Sequence, residues 1–250
     1  MQSISELYSE YLKRRNRTWM IKVNIAGTDY GSETIVDFTI DHDLSDTDGF
    51  AIGTAISSQF VLRLKNTTVP SNARIVPYLA LQLPDSLNGA DIAWQDADIA
   101  WQDADFPWQG NVTEWLPLGE FFVDTRAIVQ GNVLELTCAD RLRFADVAYV
   151  SGLTYPTTMQ AVWDEICGLV GFGYGDSVRI NPSYQIQAGL AGYSARQMLA
   201  YIASIHGACI YVDRWGLIQW RQFSAADVPV AAFTKADYVK VTQTNPEKTY

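Results

Sequence analysis

The stretch from Leu118 to Asp146 (LGEFFVDTRAIVQGNVLELTCADRLRFAD) leaves few structures open to it. Phe121, Val123 and Thr125 alternate with Phe122, Asp124 and Arg126, the period of two that puts successive side chains on opposite faces of a half-buried strand. Gln130-Gly131-Asn132 is a turn signal, with Gly131 free to take a positive φ, and Val133 to Thr137 returns as the second strand. Asp140 can then cap a helical turn over RLRFAD by accepting the free N–H groups of its first residues. The pattern predicts a β-hairpin that runs into a helical turn, and it holds no catalytic signature.

The chain before it reads as further strands behind one helix. Ser3 to Arg15 is helical in pattern, with Ile4, Leu7, Tyr8, Tyr11 and Leu12 on one face, a Ser3/Glu6 capping box, and Lys13, Arg14 and Arg15 at the end that favours cations. Packing on its own domain is the preferred role for that face. The alternative is a docking face for a neighbouring subunit, with Leu7, Tyr8 and Tyr11 as contacts. Trp19 to Ile25 alternates and breaks at Ala26-Gly27. Val36, Phe38 and Ile40 mark a second strand, and Phe60, Leu62 and Leu64 face inward in a third over Ser58 to Lys65. Pro77 pushes the strand Ile75 to Gln82 to an edge or a bulge, because proline has no N–H to give a ladder. The loop Asp41 to Gly49 carries four aspartates but lacks the glycine and closing glutamate of a calcium-binding EF-hand, so a solvated turn is preferred.

Residues 90–109 hold an internal repeat, ADIAWQD twice and then ADFPWQG, which spaces Trp94, Trp101 and Trp108 by seven. Two full copies are too few for a coiled coil. Ring stacking on a carbohydrate is one use for such an aromatic stripe; a projecting arm that meets a partner protein is the preferred one. The arm lies in the most polarised part of the chain. Of the 28 acids, nine fall between Arg74 and Arg126, where there is no Lys or Arg, and the remaining 19 face all 18 bases. No basic stripe marks a nucleic-acid grip, so specific nucleic-acid binding is not expected.

Beyond about Ala145 the pattern changes from β to mixed α and β. Thr157 or Thr158 caps a helix to about Leu169, with Met159, Val162, Ile166 and Leu169 or Val170 inward. The glycine-rich GFGYG at 171–175 follows that helix, whereas a phosphate loop would precede one, so it reads as a helix stop. Ser194 caps a second helix to His206, with Leu199, Ile202 and Ile205 inward and Gly207 as the stop. His206 fits the helix C-terminus better than a catalytic role. Cys209 to Val212, a turn at Asp213–Gly216, and Leu217 to Phe223 make a closing hairpin, and Asp237 to Thr244 is one more strand. The domain reading is therefore 1–17 amphipathic helix, 18–145 β-barrel with the arm 90–109, 146–224 α+β domain, and 225–250 the start of a further β domain.

Composition narrows function by subtraction. At 48% hydrophobic and 18% charged, the 250 residues describe a folded chain able to bury a sizeable core. There is no apolar run of about 18 residues to span a membrane, and the N-terminus has no apolar signal core. Cys138, Cys167 and Cys209 show no metal spacing and read as buried free thiols; with two histidines, no catalytic, metal or cofactor site is predicted.

The order of these pieces resembles a known family. LGEF (118–121), a turn, TCADRL (137–142), then Tyr149 and Tyr155-Pro156-Thr157-Thr158 are similar to the baseplate-hub proteins of bacteriophage tails, which in prophages carry tail-associated lysin or tail-endopeptidase names. Ser194, Arg196, Leu199, Ile202, Ala203, Arg214, Gly216 and Leu217 approximate the second domain of that family. The resemblance, over about Trp19 to Thr244, implies a β-rich α+β fold: a tail-tube-like β-barrel, a small α+β domain, and the start of an incomplete second barrel. It implies a non-enzymatic virion tail component, assembled in the host cytoplasm, whose homotrimer caps the tail tube. Its implied partners are tail-tube or distal tail proteins and the tape-measure protein. The alternatives are a wall-binding module built on the tryptophans, or the non-catalytic front of a cell-wall hydrolase.

Overall fold

The computed structural model describes residues 4–15, 17–44, 51–82 and 113–222. The tryptophan repeat, most of the aspartate loop and the strand expected at Asp237 to Thr244 lie outside the described residues.

The alternating segments form one antiparallel sheet of eight strands. These are β1 (Trp19–Ile25), β2 (Thr28–Gly31), β3 (Ile35–Asp41), β4 (Gln59–Lys65), β5 (Arg74–Leu81), β6 (Leu116–Pro117), β7 (Phe121–Gln130) and β8 (Val133–Asp140), in the order β2-β1-β5-β7-β8-β4-β3 with β6 beside β5. The edge strands β2 and β3 are joined by Ser32–Thr34 alone. Such a link spans little more than about 14 Å, so the sheet must curl until its edges are neighbours. Among the described residues β2 and β3 do not pair, and the closed barrel expected from the sequence is not formed: the sheet is curled and open. Val23, Ile25, Phe60, Leu62, Leu64, Ile75, Phe121, Val123, Leu136 and Cys138 fill its concave side.

Three local expectations change. In β3 the register slips between Ile35 and Asp37, a bulge that turns Ile35 inward and leaves Val36 exposed. Pro77 is not on a sheet edge. It faces Val23 of β1 and, on its other side, the gap where β7 has ended its pairing at Ile75 and β6 begins at Tyr78, so its missing N–H interrupts no ladder. The tight turn at Ala26-Gly27, both at positive φ, returns the chain as β2, a strand too short and polar to show as alternation.

A second core follows. A 3-10 helix (Arg141–Ala145) is capped by Asp140 as expected, and leads to β9 (Thr157–Thr158), α2 (Met159–Val170), β10 (Gln185–Ile186), α3 (Ala195–Ile205), β11 (Ala208–Val212) and β12 (Ile218–Gln222). Thr158 caps α2, and Gly171 ends it in the left-handed conformation. Ser194 and Gln197 form a reciprocal capping box on α3. Trp163, Ile166, Leu199, Ile202, Ile210 and Trp220 lie at the centre. Leu169 and Ile205 are exposed rather than inward, and of the Leu169/Val170 alternatives it is Val170 that packs against the core. All three cysteines are buried and unpaired.

The two cores share chain. The strap 51–58 belongs to the first half of the sequence, yet Gly53 donates to Ala208 at 3.0 Å, Ile210 donates to Thr54 at 2.8 Å, and Ala55 is buried in the second cluster.

Candidate functional site

Two regions answer to the sequence's candidates: the helix proposed for docking and the junction between the cores. The helix, α1, spans Glu6–Leu12. Its cap is Ser5 and not Ser3: the Ser5 hydroxyl accepts the Tyr8 N–H, while the Ser5 N–H and hydroxyl donate to Glu114 at 3.1 and 2.8 Å. Glu114 is therefore the acid at the helix N-terminus, a role no local pattern could assign across 109 residues. α1 lies against β5, whose Val76 and Ala80 are buried on the face opposite Ile75. Tyr8 is only 2% exposed, so it packs on its own chain and offers nothing to a partner. Tyr11 is half-buried beneath the Arg14 guanidinium, 3.8 Å from its ring centre; Leu7 lies in the same helix. Trp94, Trp101 and Trp108 lie outside the described residues.

The junction is built on two buried carboxylates. Asp140, 2% exposed, ends β8 and starts the 3-10 helix. It accepts from Ser57 Oγ at 2.6 Å, Ser58 N at 2.8 Å and Leu142 N at 2.9 Å, which binds the strap to the start of the second core. Burial pushes its pKa up, and these hydrogen bonds only partly oppose that. Glu120, in the loop before β7, is 5% exposed and takes Arg74 on one oxygen and Arg141 on the other, the latter at 2.7 Å. Burial raises its pKa too, but the two guanidinium groups more than offset it, so the net shift is downward. The β11–β12 turn closes over this group at Gly216, which has φ of 79° and stands against the Glu120 carboxylate.

Beside these acids lies a cleft of about 480 Å³ lined by His42, Leu44, Ser58, Leu118, Tyr211 and Arg214. His42 Nδ1 is 2.9 Å from Ser58 Oγ. A hydroxyl next to an imidazole suggests a nucleophile and its base, but that chemistry needs a third group to orient the imidazole and an accessible oxygen. Among the described residues no carboxylate hydrogen-bonds His42, and Ser58 is 5% exposed. The pair clasps the end of the strap 51–58 to the residues that follow β3. His206 is likewise structural. Its Nδ1 is 2.8 Å from the Ile202 carbonyl and its Nε2 accepts from Asn181 at 3.0 Å, which fixes the tautomer and ties the end of α3 to the 181 loop. Among the described residues no cluster of three or more His, Cys, Asp or Glu could hold a metal, and no helix is long and apolar enough to cross a membrane.

What the described residues bring together at these places is thus a set of hydrogen-bonded and ion-paired junctions. Sequence reasoning found Asp140 as a cap but missed Glu120, whose partners lie 46 and 21 residues away and leave no local signal.

No family model and no curated protein matches the chain. Among solved structures it is similar to the 43 kDa tail protein of prophage MuSo2 from Shewanella oneidensis, with a TM-score of 0.50 and 13% identity over 84% of this chain and 57% of that one. It is also similar to the tail protein from Neisseria meningitidis MC58, with a TM-score of 0.53 and 12% identity over 88% of this chain and 56% of that one. The chain spans a little over half the length of each. At such identities the likeness is one of fold: this chain shares the fold of these two tail proteins.

Proposed function

We propose that this chain is a structural component of a phage or prophage tail, at the hub where the tail tube meets the distal baseplate, contributing to the wall of the central channel. The observation that carries the proposal is the shared fold: two tail proteins align with most of the chain despite low identity, over both the curled sheet and the α+β core. Junctions held by several hydrogen bonds and ion pairs, such as those at Asp140 and Glu120, suit a part that must hold its shape under load.

In this proposal the chain carries an N-terminal helix (1–17), a β domain (18–145), an α+β domain (146–224) and the start of a further β domain (225–250), works as part of a homotrimer, and contacts tail-tube or distal tail proteins and the tape-measure protein. It acts without catalysis. The test is removal: a host strain whose phage lacks this chain is induced, and particles are counted by electron microscopy. The proposal expects heads without functional tails, and normal infectious tails would overturn it. The wall-binding alternative, resting on the three tryptophans, is separated by a glycan array on the purified chain.

A further inference from the structure

α1 stands between the two ends of the segment 83–112. At the helix start, Ser5 binds Glu114, just past where that segment returns. At the other end, Gln82 donates to the Thr18 carbonyl at 2.9 Å, just before the segment departs. The turn between α1 and Thr18 is cationic: Lys13, Arg14, Arg15 and Arg17 are all exposed. Arg14 pairs with Glu10 at 3.2 Å on an exposed surface, where such a pair contributes little, and Arg17 donates to the Leu12 carbonyl at 2.7 Å. Among the described residues Lys13 and Arg15 make no ion pair. Segment 83–112 carries Asp85, Asp91, Asp96, Asp98, Asp103 and Asp105 and no base.

We propose that the Lys13–Arg17 turn is a docking surface for the acidic segment 83–112 of the same chain. The four cations lie beside Gln82, where a segment of opposite charge begins. Asp85 is three residues past Gln82, within about 11 Å of chain. Such a tether places the acids at a millimolar effective concentration, which favours the chain's own segment over that of a second copy. The attraction acts between solvent-facing charges, so it weakens as the Debye length falls below about 8 Å. This surface is independent of the tail assignment and stands or falls without it.

The test is zero-length carbodiimide cross-linking of the full chain at low ionic strength, read by mass spectrometry, on an equal mixture of ¹⁴N and ¹⁵N protein. The Lys22–Asp29 pair, 2.8 Å apart, serves as the internal control. The expected result is Lys13 joined to aspartates of 83–112 within a single isotope. Relative to the control, the yield should fall at least about fivefold in 0.5 M NaCl. It should vanish when the six aspartates are changed to asparagine. A Lys22–Asp29 product with no Lys13 product, or Lys13 joined only outside 83–112, would overturn the proposal. Mixed-isotope products would overturn its same-chain form.

Discussion

The Asp140 carboxylate accepts the Ser58 N–H at 2.8 Å across 82 residues of chain, and through the same group accepts the Leu142 N–H that opens the 3-10 helix. One side chain therefore fixes where the sheet ends, where the second core begins, and how the strap between them lies. Asp140→Ala would leave two buried backbone donors without a partner. We expect a loss of about 3 kcal/mol in urea denaturation, with Asp140→Asn costing less than half of that because one acceptor oxygen remains. Equal losses for the two variants would show that the hydrogen bonds are not what the residue supplies.

Glu120 makes the junction sensitive to acid. Its folded pKa lies below the ordinary glutamate value, so its stabilisation is full above about pH 4.3 and is lost as the pH falls through the lower folded value. Asp140, shifted upward, contributes in the opposite direction, so the comparison must be a difference. The stability gap between the wild type and Glu120→Gln should be positive at neutral pH and shrink below about pH 4.3. Melting curves between neutral pH and pH 3 measure it, and a gap that is constant with pH would contradict the account.

Gly216 and Gly131 both have positive φ, at 79° and 57°, but differ in surroundings. A β-carbon at Gly216 would strike the Glu120 carboxylate, whereas one at Gly131 meets open space. Gly131→Ala should cost about 1 kcal/mol for backbone strain alone, and Gly216→Ala at least about twice that. Equal costs would mean that the turn does not bear on Glu120.

Burial pushes the Cys138 and Cys167 thiols up to about 12, so neither ionises near neutral pH. The native protein should leave all three buried cysteines unmodified by a thiol reagent over hours, with complete reaction in denaturant. Neither reductant nor EDTA should move the melting temperature. Rapid labelling of the native chain, or a large drop with either additive, would count against a core held by packing alone.

How much of this was legible follows from the range of each cause. The β7–β8 hairpin, the Thr158 and Ser194 caps and the Gly171 stop depend on neighbours within a few residues, and the sequence displays them. The bulge at Val36 and the partner switch at Pro77 depend on adjacent strands, which periodicity does not contain. Trp163 escaped notice because a buried tryptophan at the centre of α2 and an exposed one look alike in one dimension; its partner, Trp220 at a ring distance of 5.4 Å, is on β12. Tyr8 shows the same limit for the candidate site: the apolar stripe of α1 and its preference for its own domain were visible, but that β5 would be the strand beneath it was not.

The central claim is a place in the tail, and labelling tests it most directly. Phage tails bearing an epitope on the exposed β7–β8 turn at Gly131-Asn132 would be decorated with gold-conjugated antibody and imaged by electron microscopy. The account predicts gold confined to the distal tip of the tube, with three copies per tail by quantitative mass spectrometry. Gold along the whole tube, gold at the head, or purified tails free of this chain would contradict it.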